Sequence, residues 1–136
     1  MIKPIMKSEF FLRLPSEDAG PDDAATGQDL LDTLHEHEHE CVGLAANMIG
    51  VRKRIICVKD GNRTLLMYNP QILEQVNAYQ TSEGCLSLIG EHPCTRYRRI
   101  KVEYLDENFV HRIKNFSGYT AEIIQHEIDH CCGIVI

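Results

Sequence analysis

Apolar positions first fall into helical spacing at Leu30, Leu31 and Leu34, which predicts a helix over 27–40. The stretch before it, 1–26, carries the breakers Pro15, Gly20 and Pro21 among acidic residues and reads as irregular. After the helix the pattern turns to strands. Residues 54–59 and 63–68 read as partners across a hairpin turn at Asp60-Gly61 or Gly61-Asn62. Asn69-Pro70 should break the second strand, with 71–80 extended beyond it. A second hairpin, 100–105 with 109–116, turns around Asp106-Glu107-Asn108. The last element is again helical: 119–132 contains no Pro or Gly, Ser117 or Gly118 can cap it, and Gly133 is placed to stop it. Strands in the middle with a helix at either end predict an α+β fold, not alternating βαβ units. No internal repeat or low-complexity tract divides the chain, so 1–136 reads as one domain.

The final helix carries the chemistry. Gln125-His126-Glu127-Ile128-Asp129-His130 contains H-E-x-x-H. On a helix, His126 and His130 stand one turn apart on the same side, where both imidazoles can reach one metal ion. Glu127 lies next to that face and can take a proton from metal-bound water. The residues three and four positions from Glu127 are Ile123, Ile124, His130 and Cys131, whereas Glu122, Gln125 and Asp129 collect on the opposite side. Burying an unpaired carboxylate on an apolar arc is costly. Glu127 is therefore expected to be either paired or chemical.

His35-Glu36-His37-Glu38-His39 fits H-E-x-x-H as well. It sits in an acidic run, 35–40, at the end of the predicted 27–40 helix, with no apolar residue within the run. A solvated helix end is preferred there to a metal site.

At 136 residues, 43% hydrophobic and 25% charged, the chain has the composition of a soluble globular protein large enough to bury a core without disulfides. A formal net charge of −6 argues against a general nucleic-acid binder. No apolar run approaches the ~20 residues of a membrane span, and Met1-Ile2-Lys3-Pro4 does not begin a signal peptide. A cytoplasmic protein with no membrane partner is expected. The six cysteines, at 41, 57, 85, 94, 131 and 132, are spaced unlike a disulfide framework, and most read as small buried hydrophobes.

Cys85 is different. A catalytic metal site needs a third protein ligand and an open position. The longer pattern H-E-x-x-H-x-x-G-x-x-H is met through Gly133, but its third His position is Ile136, which cannot ligate. The third ligand should come from upstream, and the thiolate of Cys85 is a good candidate in the Gly-containing loop Ser82-Glu83-Gly84-Cys85-Leu86-Ser87. One thiolate, two imidazoles and a water suit zinc. The stretch 41–50 is small and apolar, so backbone around Val42 and Gly43 can approach a ligand closely.

Together, Gly43-Leu44-Ala45-Ala46, Glu83-Gly84-Cys85-Leu86-Ser87 and Gln125-His126-Glu127-Ile128-Asp129-His130 resemble the three signature motifs of peptide deformylases, in the same order and separation. Asn69-Pro70 and Arg96 also fall where that family has similar residues. The resemblance covers 27–136. It implies a compact domain with antiparallel sheets packed around the C-terminal H-E-x-x-H helix. The implied activity is hydrolysis of the N-formyl group from the N-terminal Met of nascent bacterial polypeptides, a substrate met at the ribosome. It further implies metal ligation by Cys85, His126 and His130, with Glu127 as general base and then general acid. The Leu86 N–H would hold the developing oxyanion, and Glu83 and Arg96 would brace the site. Iron(II) is the family's metal, with zinc or nickel able to occupy the same ligands. The substrate's side chain would meet the turn before the helix motif, where Tyr119 and Ile123 suit Met and Glu122 is an odd neighbour.

Two positions depart from the family's first motif, G-x-G-x-A-A-x-Q: Cys41 replaces the first Gly and Met48 replaces the Gln. That Gln amide donates to the formyl oxygen, and a thioether cannot donate. Asn47, one position away, is expected to point elsewhere. Two function classes follow. One is an active metallohydrolase, a deformylase of a short divergent type. The alternative is a paralogue that binds metal and polypeptide N-termini with little turnover. An intact Glu127 favours the first, and Met48 favours the second.

Overall fold

Among the described residues, five strands pair antiparallel in chain order: β1 Gly43–Ala45, β2 Ile55–Asp60, β3 Arg63–Cys85, β4 Leu88–Leu105 and β5 His111–Ser117. The computed structural model describes residues 1–135, with backbone alone at Leu88 and Ile89; Ile136, where a downstream third ligand would have fallen, lies outside the described residues. Asp60 pairs with Arg63, so Gly61-Asn62 is the turn between β2 and β3. Gly61 takes φ 63° at its first central position, as a two-residue II′ turn requires.

Asn69-Pro70 does not end the strand as expected. Pairing with β4 skips between Tyr68 and Gln71 and then resumes, because a bulge accommodates Pro70 without the ladder N–H that it lacks. Asn69 takes φ 53° at the bulge, a conformation Asn tolerates. Its side-chain amide exchanges hydrogen bonds of 2.7 and 2.9 Å with the Ala19 backbone. β3 and β4 thus form one long ribbon. The stretch 82–87, expected as a loop between hairpins, is the tip of that ribbon: Ser82 and Glu83 pair with Pro93 and His92, and Cys85 with Leu88.

The helices are α1 Glu9–Leu12, α2 Ala24–Glu36 and α3 Gly118–Cys131. The N-terminal stretch is more regular than its breakers predict. Ser8 caps α1 by accepting from the Phe11 N–H, and Leu12 is fully buried. α2 begins at Ala24 and ends at Glu36, where 27–40 was expected. Its inner face is Gly27, Leu30, Thr33 and Leu34. Past those residues no apolar side chain ties 35–40 to the core, and the chain leaves helical geometry at His37.

α3 lies within a residue of its expected span, and it packs against β1, β2, β4 and β5. Buried side chains stand on every side of it, from Ala121 and Ile124 to Gln125 and Cys131, as in a helix enclosed by its fold. Leu44, Ile56, Met67, Ile100 and Val102 belong to the surrounding core. The α+β expectation holds, with antiparallel strands about a C-terminal helix. All six cysteines are free, but only Cys57 and Cys131 are buried among apolar groups; Cys41, Cys85 and Cys94 are half-buried and Cys132 is exposed, so fewer are core residues than expected.

Candidate active site

The helical spacing of His126 and His130 brings their Nε2 atoms to 3.2 Å from each other. Cys85, at the end of β3, completes a trio whose ligand atoms all lie within 4.8 Å of one another. Among the described residues this is the one such group of three. His126 Nδ1 meets Glu83 Oε1 at 2.8 Å, which orients the ring with Nε2 inward. Burial, followed by the positive charge of His126 and Arg96, depresses the pKa of His130 to about 3, so that ring stays neutral. Burial opposes a charge on His126 too, but hydrogen bonds to Cys85 and Glu83 and the charge of Glu127 raise its pKa to about 10. Two ring nitrogens facing each other at 3.2 Å need a proton or a cation between their lone pairs. A cysteine sulfur and two imidazoles therefore fit a divalent metal ion of the borderline-soft kind.

Glu127 is 3% exposed, and its Oε1 has no hydrogen-bond partner. Burial raises its pKa to about 7, only partly offset by the His126 charge. A carboxyl balanced near neutrality can both accept and return a proton. It is also tightly housed. A Cβ on Gly43 would come within 2.7 Å of Ile123 Cγ2 and 2.9 Å of Glu127 Oε2, so β1 can pass this close only as glycine.

Arg96, 4% exposed on β4, holds the metal-facing corner together. Its Nη2 and Nε donate to Glu83 at 2.7 and 3.0 Å, and its Nη1 donates to Asp129 at 2.6 Å. Burial alone would raise the Glu83 pKa, but hydrogen bonds with His126, Arg96 and Glu122 hold it below the usual carboxylate range. Of the three residues expected opposite Glu127, Gln125 and Asp129 lie on a side that faces β4, whereas Glu122 lines the cleft together with Glu127. Gln125 accepts from the Tyr97 N–H at 2.8 Å and donates to the Tyr97 carbonyl at 2.8 Å. Neither Gln125 nor Asp129 was expected to take part in the site. Their shared face, four positions apart on a helix, was the available signal; which strand covers it was not.

A cleft of about 740 Å³ opens over Glu127, with Cys85, His126, Leu86, Val42, Gly43, Met48, Tyr119 and Ile123 all on its wall. Tyr119 stands at the rim, 65% exposed. Lys7, from the N-terminal arm, donates through Nζ to the Leu86 carbonyl, an unanticipated contact beside the trio. The other H-E-x-x-H run is split by the end of α2. His35, with 80% of its side chain exposed, meets Glu38 at 3.3 Å, and His37 meets Glu40 at 3.7 Å. It is a solvated helix end as expected, except that Glu38, His39 and Glu40 reach the edge of the cleft.

The family model described as Polypeptide deformylase matches residues 6–136. The chain belongs to that family. A peptide deformylase of Clostridium beijerinckii is 52% identical over 136 residues, all of both chains. Among solved structures, a peptide deformylase from Thermotoga maritima superposes with TM-score 0.89 at 28% identity, covering 99% of this chain and 95% of that one. A Met-Ala-Ser-bound class I type b peptide deformylase from Acinetobacter baumannii superposes with TM-score 0.87 at 27% identity, covering 99% and 96%.

At position 48, where the resemblance led to the expectation of a missing donor, the side chain indeed donates nothing. The Met48 sulfur accepts the Ala45 N–H at 3.5 Å and has nothing to donate. Asn47 does not replace it, because its Nδ2 donates to the His130 carbonyl at 2.8 Å. Glu122 shares the cleft with Ile123 and Tyr119. Its hydrogen bond with Glu83, reinforced by burial, lifts its pKa to about 7.

Proposed function

We propose that this chain is a metal-dependent hydrolase that removes the N-formyl group from the N-terminal Met of newly made polypeptides. Family membership over the whole chain supports the activity. The observation that carries the mechanism is Glu127, a buried, unpartnered carboxyl poised near neutrality beside Cys85, His126 and His130. We take 1–136 as one functional unit.

Cys85, His126 and His130 would hold one divalent ion: Fe2+ by family resemblance, with Zn2+ or Ni2+ suited to the same donors. The ion supplies Lewis acidity and makes water a usable nucleophile near neutral pH. The remaining steps belong to the chain. Glu127 takes a proton from the attacking water and passes it to the amine that departs from the formyl carbon. The Leu86 N–H faces the charge that grows on the formyl oxygen. Glu83 fixes the His126 ring, and Arg96 fixes Glu83. Val42 and Gly43 line the backbone wall, while Tyr119 and Ile123 receive the Met side chain. Because attack is by water, no covalent enzyme intermediate is needed, and Cys85 acts as a ligand and not as a nucleophile.

The substrate places the enzyme in the bacterial cytoplasm, meeting chains as they leave the ribosome. No helix among the described residues is long and apolar enough to cross a membrane. The binding-only alternative is not favoured, since a buried base has no use in a pure binder. Incubating the iron-loaded protein with a formyl-Met peptide should release formate catalytically. Absence of formate from a folded, metal-replete preparation would reinstate the alternative.

A further inference from the structure

The mechanism leans on the Leu86 N–H and gives the N-terminal arm nothing to do. Cys85 pairs with Leu88, so Leu86 and Ser87 are the two turn residues at the tip of the β3–β4 ribbon. Residues in such a turn stand outside the ladder, and no strand fixes their backbone groups. The Leu86 carbonyl is instead taken by Lys7 Nζ, 79 positions away along the chain. Lys7 is itself anchored on both sides. The Met6 N–H donates to the Met48 carbonyl at 2.7 Å. Ser8 caps α1 by accepting from the Phe11 N–H at 3.2 Å, and Leu12 of that helix is fully buried. One arm thus ties together the turn at 46–49 and the ribbon tip, the two segments from which the family resemblance draws oxyanion donors. Met48 donates nothing, and Asn47 is committed to the His130 carbonyl. Of those donors only the Leu86 N–H remains.

Resting on the deformylase reading above, we infer that Lys7 is a positioning residue: its ammonium holds the Leu86 carbonyl and so aims the Leu86 N–H at the formyl oxygen. The N–H and C=O of Leu86 lie in rigid peptide planes that meet at one Cα. Holding the carbonyl therefore restricts where the N–H can point. A donor fixed in advance stabilises the growing charge without reorganising as the reaction proceeds. An ammonium suits this task, because a charged donor makes the stronger hydrogen bond to a carbonyl oxygen. Lys7 is not among the residues lining the cleft, so it acts through Leu86 and not on the substrate. Its side chain is exposed. Water competes for the contact there, which keeps the effect moderate.

The test uses the metal-loaded full chain with formyl-Met-Ser amide, following formate. Lys7→Met keeps the length of the side chain and removes the donor. It should lower kcat about fivefold, a fraction of the ~10²–10³ lost when an oxyanion donor is removed outright. KM should change less than about twofold, since the aim of this N–H matters in the transition state and not in the ground state. Lys7→Arg should restore most of kcat, because a guanidinium can donate to the same carbonyl. The product Met-Ser amide has no formyl oxygen, so it should inhibit parent and variants with the same Ki. Bound metal and Tm should stay at the parent values. Parent kcat in a folded, metal-replete Lys7→Met variant overturns the positioning role and leaves deformylation standing. So does a loss confined to KM, a loss that Lys7→Arg does not repair, or one matched by a fall in metal content or Tm. No formate from the parent protein overturns the deformylase reading itself, and this inference with it.

Discussion

In 126–130 the helix runs through both histidines, and the fold closes over them on every side; in 35–39 the same letters fall where a helix ends in water. The first run has Ile123, Ile124 and Cys131 at helical distances, all of which are buried. The second has no apolar residue beyond Leu34 until Cys41, so nothing pays for continuing the helix past Glu36. His35 and His39 are therefore not both carried on the helix. Spacing makes a metal site possible, and enclosure with a braced ring makes it one.

The comparison breaks first at the ligands. Cys85→Ala and His130→Ala should each drop bound metal, by elemental analysis, from one equivalent to a small fraction, with formate release falling alongside. A full equivalent retained in both variants would reduce the trio to ordinary packing. Glu127→Gln should cost about 10²–10⁴ in kcat while metal content and Tm stay near the parent. Turnover at the parent rate would remove Glu127 from the chemistry. Arg96→Met should weaken metal binding about 10–100-fold in a chelator competition, because Glu83 then loses the partner that lets it hold His126. Unchanged affinity would mean that the His126 ring is held by the helix alone.

Smaller effects sharpen the contrast. Met48→Gln should raise kcat on a formyl-Met peptide about tenfold, short of the ~10²–10³ assigned to a full oxyanion donor, since a bound ion shares that load. The gain should appear in kcat more than in KM. A lower kcat in a folded, metal-replete variant would show that the position has been repurposed. Smallest of all, replacing His35 and His39 together with Ala should leave tightly bound metal at one equivalent. Metal content is the readout, because His39 touches the cleft. A fall from two equivalents to one would show that the exposed run is a real second site.

What was legible in the sequence was local. The caps, the breaker-free run and the four-residue spacing predicted α3 and the histidine pair, and the apolar neighbours of Glu127 predicted its burial. What was illegible depended on partners far along the chain. Gln125 binds Tyr97, 28 positions away, and Asn69 takes its left-handed turn to reach Ala19, 50 positions away. The end of α2 was placed too late because helix propensity continues through 35–40 while the packing that sustains a helix stops. Cys85 was expected in a loop and lies at a strand end, because a polar ribbon such as 77–95 gives no alternation to read.

Among the described elements, α3 leaves the ribosome after all the others when this chain is itself synthesised. It supplies His126, Glu127 and His130 and covers the inner face of strands made long before it. The side chain of Asn47 waits for the His130 carbonyl across 83 positions. Contacts of such separation form late and slow folding. A chain halted before Gly118 has neither a closed core nor the two histidines, and its apolar sheet face is open to aggregation. Core and catalytic centre are therefore completed by one event, so folding in this protein is also its activation.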